Sequence, residues 1–146
     1  MRPLKPAFAV DKECLDAEVP SMLLQPLIEN TILHGFREIE KQGFISLRIK
    51  KEKEIIKIII RDNGKGINKK EIDKLFNDDK THNKGLNHIG LNNVKRRLEL
   101  LYPNVGRIEI TGDDSKCNSY FQQEINIPFN LLDSSSLEIV NRTKRR

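Results

Sequence analysis

The chain has no tryptophan, two tyrosines and six phenylalanines in 146 residues, so aromatics make up only 5% of it. Proteins that hold single-stranded nucleic acid stack bases on aromatic rings, and few such platforms exist here. Cys14 and Cys117 are the only cysteines. They have neither metal-ligand spacing nor the number of a disulfide framework, and read as incidental thiols of a reducing compartment. No apolar run approaches the ~20 residues of a membrane span, and residues 1–10 lack the apolar core of a secretory signal. Charge of one sign is also scarce: 26 Lys and Arg face 21 Asp and Glu, a net charge of +5. The basic residues are scattered, apart from Arg142, Lys144, Arg145 and Arg146 at the end. A mild excess of this kind suits a polyphosphate ligand as well as it suits nucleic acid.

What is present is enough for one core. With 37% hydrophobic and 32% charged residues, the composition is that of a globular domain with a well-solvated surface. The sequence predicts a single domain over residues 1–130, followed by a polar, basic tail over 131–146.

The chain is organised around Ile60-Arg61-Asp62-Asn63-Gly64-Lys65-Gly66-Ile67, where an apolar run ends abruptly in a carboxylate and two glycines. Residues 54–60 read as a strand, which puts Asp62 where the strand leaves its sheet. Gly64 and Gly66 allow positive φ or a close backbone approach. Taken alone, these residues equally describe an ordinary Asp-Asn-Gly turn or a carboxylate set to hold a flat, donor-bearing ligand.

Around that turn the periodicities predict the order strand, helix, hairpin, short helix, loop, helix, hairpin. Residues 7–10 read as a short strand and 15–19 as a weak one. Ser21 reads as the N-cap of a helix over 22–36, with Leu24, Leu27, Ile28, Thr31 and Ile32 on the core side and Gly35 as the residue that ends it. Pro26 falls near its first turn. Asn30 and His34 are four residues apart and share one flank of that helix. Residues 44–50 alternate as a half-buried strand, and the nearly continuous apolar run 55–60 pairs back against it. Asn68 with Glu71 has capping-box spacing and opens a short helix with Ile72, Leu75 and Phe76 inward. Residues 77–88 are polar and read as a loop. A helix with Leu91, Val94, Leu98 and Leu101 inward stops before Pro103, and 107–111 with 120–127 form a second hairpin. Helices on one face of a mostly antiparallel sheet is the economical packing.

Three segments then carry a resemblance: Leu24-Gln25-Pro26-Leu27-Ile28-Glu29-Asn30-Thr31-Ile32-Leu33-His34-Gly35, Asp62-Asn63-Gly64-Lys65-Gly66, and Ile89-Gly90-Leu91-Asn92-Asn93-Val94-Lys95-Arg96-Arg97-Leu98. In this order and spacing they resemble the N box and the two glycine boxes of the ATP-binding domain of sensor histidine kinases. Gln25-Pro26-Leu27 leading into Glu29-Asn30 is similar to the LytS/YehU-type kinases that work with LytTR-type response regulators. The resemblance implies the Bergerat (GHKL) fold, an α/β two-layer sandwich with a mixed, mostly antiparallel sheet and its helices on one face. It implies ATP and Mg²⁺ as cofactors. Asp62 would accept a hydrogen bond from the adenine amino group, with Gly64, Gly66 and Ile67 shaping the base pocket. Asn30 would be the Mg²⁺ ligand and the residue closest to catalysis, with His34 near the phosphates. Gly90 and Leu91 would present backbone N–H groups to the phosphates, and 77–88 would be the lid. The phosphoryl acceptor would be a histidine on a separate dimerisation domain, and the segment would be the cytoplasmic part of a bacterial inner-membrane sensor, with no direct nucleic-acid or membrane contact.

The sequence departs from the family's pattern at several positions. Leu33 stands where related N boxes often carry Lys, His88-Ile89-Gly90 has lost the first glycine of the second box, and Asn118-Ser119 replaces a Gly-Thr pair. The general-base glutamate of the related gyrase, Hsp90 and MutL ATPases lies four residues before the asparagine, and Pro26 occupies that position. The resemblance therefore implies phosphoryl transfer to a histidine rather than to water. The alternative is a degenerate ATP-binding fold kept as a regulatory or interaction module. A serine kinase or ATPase of the same fold, or a basic nucleic-acid-binding domain, would be further alternatives.

Overall fold

The computed structural model of the chain describes residues 4–36, 42–75 and 89–131. Five strands form one sheet: β1 (Lys5–Val10), β2 (Phe44–Glu52), β3 (Ile55–Asp62), β4 (Arg107–Asp113) and β5 (Tyr120–Pro128). Their spatial order is β1-β2-β3-β5-β4. β1 runs parallel to β2, while the other three pairings are antiparallel. Three helices, α1 (Gln25–Asn30), α2 (Lys69–Leu75) and α3 (Ile89–Leu101), complete the order expected from the periodicities.

The register decides which residues meet. Ile60 lies opposite Leu47 on one side and Gln123 on the other, and Asp62 lies opposite Ile45 and Phe121. Side chains two apart on a strand share a face, so Ile56, Ile58, Ile60 and Asp62 all point to the helical layer with Ile125 and Ile127. All six are at most 2% exposed. Leu23, Leu27, Leu91, Val94 and Leu98 close the core from the helical side. Each such side chain, fully buried, contributes about 1.5–3 kcal/mol.

Several expectations are corrected. Residues 15–19 do not form a strand. A 3₁₀ turn spans Lys12–Cys14, and beyond it only Ala17 makes an isolated bridge, to Leu131. The helix expected over 22–36 begins at Gln25, with Leu24 rather than Ser21 at its N-cap and no side chain capping it. Proline explains the shift: a helix starting at 22 would set the Pro26 ring against the carbonyl four residues back, whereas at the first turn its missing N–H costs nothing. Met22 takes φ 60 just before the helix.

The same helix also changes character after Asn30. Thr31–Gly35 is a π-helical stretch, whose wider turn rotates Ile32 away from the core and leaves it 42% exposed. Gly35 is therefore the last residue of that stretch rather than a left-handed cap, and among the described residues Gly66 is the glycine at positive φ. In α3, Leu101 was expected inward but is 49% exposed; Tyr102 packs against the core in its place. Phe76, the loop 77–88 and residues 132–146 of the tail lie outside the described residues.

Candidate functional site

The site grows from the end of β3. Asp62 is 2% exposed, and its Oδ1 accepts a hydrogen bond from the Gly64 N–H at 2.8 Å. Asn63 ties the turn to β2: its Oδ1 accepts from Phe44 N at 2.7 Å and its Nδ2 donates to the Gln42 carbonyl at 3.1 Å. Across the turn, Lys65 N donates to the Gly35 carbonyl at 3.0 Å.

The two glycines of the turn are needed for different reasons. At Gly64 a Cβ would lie 2.3 Å from the Gly35 carbonyl oxygen and 2.7 Å from Asp62 Oδ1. Gly66 has φ +75, and a Cβ there would lie 1.7 Å from the Asp113 carbonyl oxygen. Gly35 answers from the other side, since its own Cβ would lie 3.1 Å from Asp62 Oδ1. Two backbones thus close over one carboxylate, which only residues without side chains permit.

Beside this turn an open cleft of about 720 Å³, counting the space at its mouth, runs between the helices. Asn30 and Gly35 form one wall, and Lys65, Gly66 and Ile67 form another. Glu71, Lys74 and Leu75 from α2, Leu91 from α3 and Phe121 from β5 complete it. α2 is fixed by the capping box read from the sequence: Glu71 N donates to Asn68 Oδ1 at 3.0 Å, and Asn68 N to Glu71 Oε2 at 3.1 Å.

Of the residues singled out from the sequence, Asn30, Gly66, Ile67 and Leu91 thus line one cleft, while Asp62 and Gly64 are not on its lining: Asp62 lies against Gly35 and Gly64 and lines a separate opening with Asn63, Ser119 and Tyr120. His34 falls within the π stretch, one residue before Gly35. Gly90 sits in the first turn of α3, and among the described residues a Cβ added to it would meet Pro26, at 3.9 Å. Packing among the described residues does not require its lack of a side chain.

Sequence reasoning missed other contributors. Phe121, Lys65, Lys74 and Leu75 line the cleft, and only the fold brings them there. Ser119, noted as a departure from a Gly-Thr pair, donates its hydroxyl to the Gly64 carbonyl at 2.6 Å, so the hydroxyl braces the glycine turn from the residue that leads into β5. Gln123 is fully buried on the core face, and its Nε2 donates to the Leu27 carbonyl at 3.1 Å and to Thr31 Oγ1 at 3.0 Å. The signal for it was legible: in Phe121, Gln123, Ile125, Ile127 a single polar residue breaks an inward apolar phase.

Among the described residues no three His, Cys, Asp or Glu side chains gather in a way that would hold a metal ion by themselves. The donor that faces the cleft from α1 is the half-buried Asn30. A single hard amide oxygen fits Mg²⁺, which keeps its waters and is held chiefly by substrate phosphates. Glu29, next to Asn30, is exposed and accepts a hydrogen bond from Gln25 Nε2 at 2.8 Å.

Comparison with known proteins agrees with this geometry. The family described as histidine kinase-, DNA gyrase B-, and HSP90-like ATPase matches residues 16–129. The sensor histidine kinase YpdA of Escherichia coli (strain K12) is 35% identical over 95 residues, 65% of this chain and 16% of that protein. The sensor protein LytS of Streptococcus mutans is 32% identical over 104 residues, 71% of this chain and 18% of that protein. The chain thus spans less than a fifth of the length of these curated relatives. Among solved structures, the catalytic domain of the histidine kinase ThkA superposes with a TM-score of 0.63 at 19% identity, covering 88% of this chain and 82% of that one. The mycobacterial sensor histidine kinase MprB gives 0.63 at 17% identity, covering 88% and 86%. The fold is therefore the α/β sandwich of histidine kinase catalytic domains, and the chain belongs to the histidine kinase-, DNA gyrase B- and HSP90-like ATPase family.

Proposed function

We propose that this domain, residues 1–130, binds Mg²⁺-ATP in the cleft between α1, the glycine turn and α3. It would place the γ-phosphoryl for transfer to a histidine on the dimerisation domain of the full-length kinase. The observation that carries the reading is the convergence of Asn30, Gly66, Ile67 and Leu91, from three distant parts of the chain, on one cleft beside the buried Asp62. At the base end, Asp62 accepts the adenine amino group, while Gly64 and Gly66 keep the turn thin enough for the ring and Ile67 forms its apolar floor. At the phosphate end, Asn30 offers its amide oxygen to the metal and His34 stands one turn further on. Gly90 and Leu91 turn N–H groups of the first turn of α3 toward the phosphates, where the helix dipole favours negative charge. Mg²⁺, when bound, supplies neutralisation of the phosphate oxygens. In the transfer, a histidine nitrogen forms a bond to phosphorus as the bond to the β-phosphate oxygen breaks, with ADP leaving.

Pro26, four residues before Asn30, cannot activate water, and the exposed Glu29 is already engaged with Gln25. The chain is thus suited to phosphorylating a partner rather than hydrolysing ATP. A LytTR-type response regulator would be the next recipient, in a bacterial membrane sensor whose cytoplasmic side would hold this domain, a reading that the similarity to LytS-type proteins supports. No helix among the described residues is long and apolar enough to cross a membrane.

The test is incubation of the chain with Mg²⁺ and γ-labelled ATP, alone and with a histidine-bearing dimerisation segment from the same protein. We expect acid-labile phosphate on the added segment and none on residues 1–146. Label on the chain itself, or steady release of inorganic phosphate without the segment, would contradict this division of labour.

A further inference from the structure

Gln123 is an expensive residue where it stands. It lies in the middle of β5, paired laterally with Ile60 and Ile110, and it is fully buried in a mostly apolar layer. Burying an amide costs free energy unless its groups are paired. Its Nε2 is paired twice, but its Oε1 has no hydrogen-bond partner among the described residues. The Leu27 carbonyl can only accept, which fixes the amide with its nitrogen toward α1. A residue kept at that cost for packing alone would be better replaced by leucine or methionine.

Its two acceptors bracket one position. Leu27 is three residues before Asn30, and Thr31 is the residue after it, the point where the α-helix passes into the π stretch. A π turn is a costly interruption that recurs at functional sites. Here the Leu27 carbonyl also receives the Thr31 N–H, shared with the Ile28 carbonyl. Gln123 thus holds the turn on both sides of Asn30 from a strand whose Phe121, two residues earlier on the same face, lines the cleft and sits opposite Asp62. One strand therefore spans the base end and the metal end of the site.

We propose that Gln123 is a positioning residue for Asn30: by clamping Leu27 and Thr31 to β5 it fixes where the amide oxygen of Asn30 is presented relative to the base pocket. This rests on the assignment of Asn30 to the Mg²⁺–phosphate end. Gln123 touches neither ligand. Removing its clamp weakens the metal-dependent part of nucleotide affinity and spares the base-dependent part.

The experiment is calorimetric titration of the chain with a non-hydrolysable ATP analogue, with Mg²⁺ and with EDTA, for wild type, Gln123→Met, Thr31→Val and Thr31→Ser. Wild type should bind more tightly with Mg²⁺. In Gln123→Met that gain should shrink about tenfold, as for other groups that orient a metal ligand from behind, with the EDTA affinity little changed. Thr31→Val should lose part of the gain and Thr31→Ser should keep it, and this pair preserves the test if Gln123→Met does not fold. An equal fall with Mg²⁺ and EDTA, or an unchanged gain in both Gln123→Met and Thr31→Val, would overturn the proposal while leaving the ATP reading intact. A wild-type chain without any Mg²⁺ gain would overturn the metal role of Asn30 itself.

Discussion

At the scale of single residues, the site rests on where side chains are missing. Gly66 and Gly90 both belong to the glycine boxes, yet their surroundings differ. Gly66 combines positive φ with a neighbouring carbonyl that a Cβ would strike, at 1.7 Å. Gly66→Ala should therefore destabilise the fold by about 1–3 kcal/mol or more, read as a lower midpoint in urea. At Gly90 a Cβ would make only an ordinary contact among the described residues, with Pro26 at 3.9 Å. Gly90→Ala should leave stability unchanged or raise it by up to ~1 kcal/mol, while weakening the ATP analogue, because the added methyl group would stand where the backbone is proposed to approach the phosphates. A fall in stability with unchanged nucleotide affinity would show that Gly90 serves the helix and not a ligand. Both glycines were legible in the sequence, but the difference between them was not. It depends on the Asp113 carbonyl, 47 positions away along the chain.

At the scale of elements, local rules succeeded wherever the interaction they describe is local. The capping box of α2 was readable as Asn68 and Glu71 because both partners lie within four residues. Asn68→Ala should cost about 0.5–2 kcal/mol and loosen α2, which carries Lys74 and Leu75 on the cleft. Hydrogen exchange confined to residues 69–75 would report it, and no change there would show that packing alone holds the helix. The N-cap at Ser21 failed because propensity favoured serine while Pro26 determined where the first turn had to be. The π stretch was invisible for a different reason: its support comes from Gln123, 92 residues beyond Thr31 in the chain. Ser119 belongs to the same class, since its bond to the Gly64 carbonyl spans 55 residues.

At the scale of the whole molecule, the face of the sheet away from the helices carries a charged network among the described residues. Lys57 reaches Glu124 and Glu52, each at 3.0 Å, and Lys50 also pairs with Glu52. The hydrogen bonds from Lys50 and then Lys57 hold the Glu52 carboxyl below its ordinary value of 4.5, and Glu124 followed by Glu52 raises Lys57 above 10.5. For a depressed carboxylate, the stability it contributes is present above the unfolded value and is lost as pH falls through the folded one. For a raised lysine it is present below 10.5 and lost as pH climbs through the folded value. The network therefore supports the fold across the neutral range and fades at both ends. Glu52→Gln should lower the urea midpoint more at about pH 7 than in acid, where pH has fallen below 4.5 and through the depressed value of the folded carboxylate. An equal loss at both would mean the side chain acts by shape.

Asp62 as the proposed acceptor of an adenine base is put to the test by titration calorimetry with a non-hydrolysable ATP analogue and Mg²⁺. Asp62→Asn keeps an oxygen for the Gly64 N–H but offers a donor where the carboxylate offers an acceptor. A buried group left mismatched in this way costs about 1–3 kcal/mol or more, so affinity should fall about tenfold or further. The GTP analogue, with a carbonyl in place of the amine, should bind as poorly to the wild-type chain. Micromolar binding of the ATP analogue, lost in Asp62→Asn and absent for guanine, is the predicted result. Equal affinity for wild type and Asp62→Asn, or no binding of the analogue at millimolar concentration, would contradict the account and favour a fold kept for protein interaction alone.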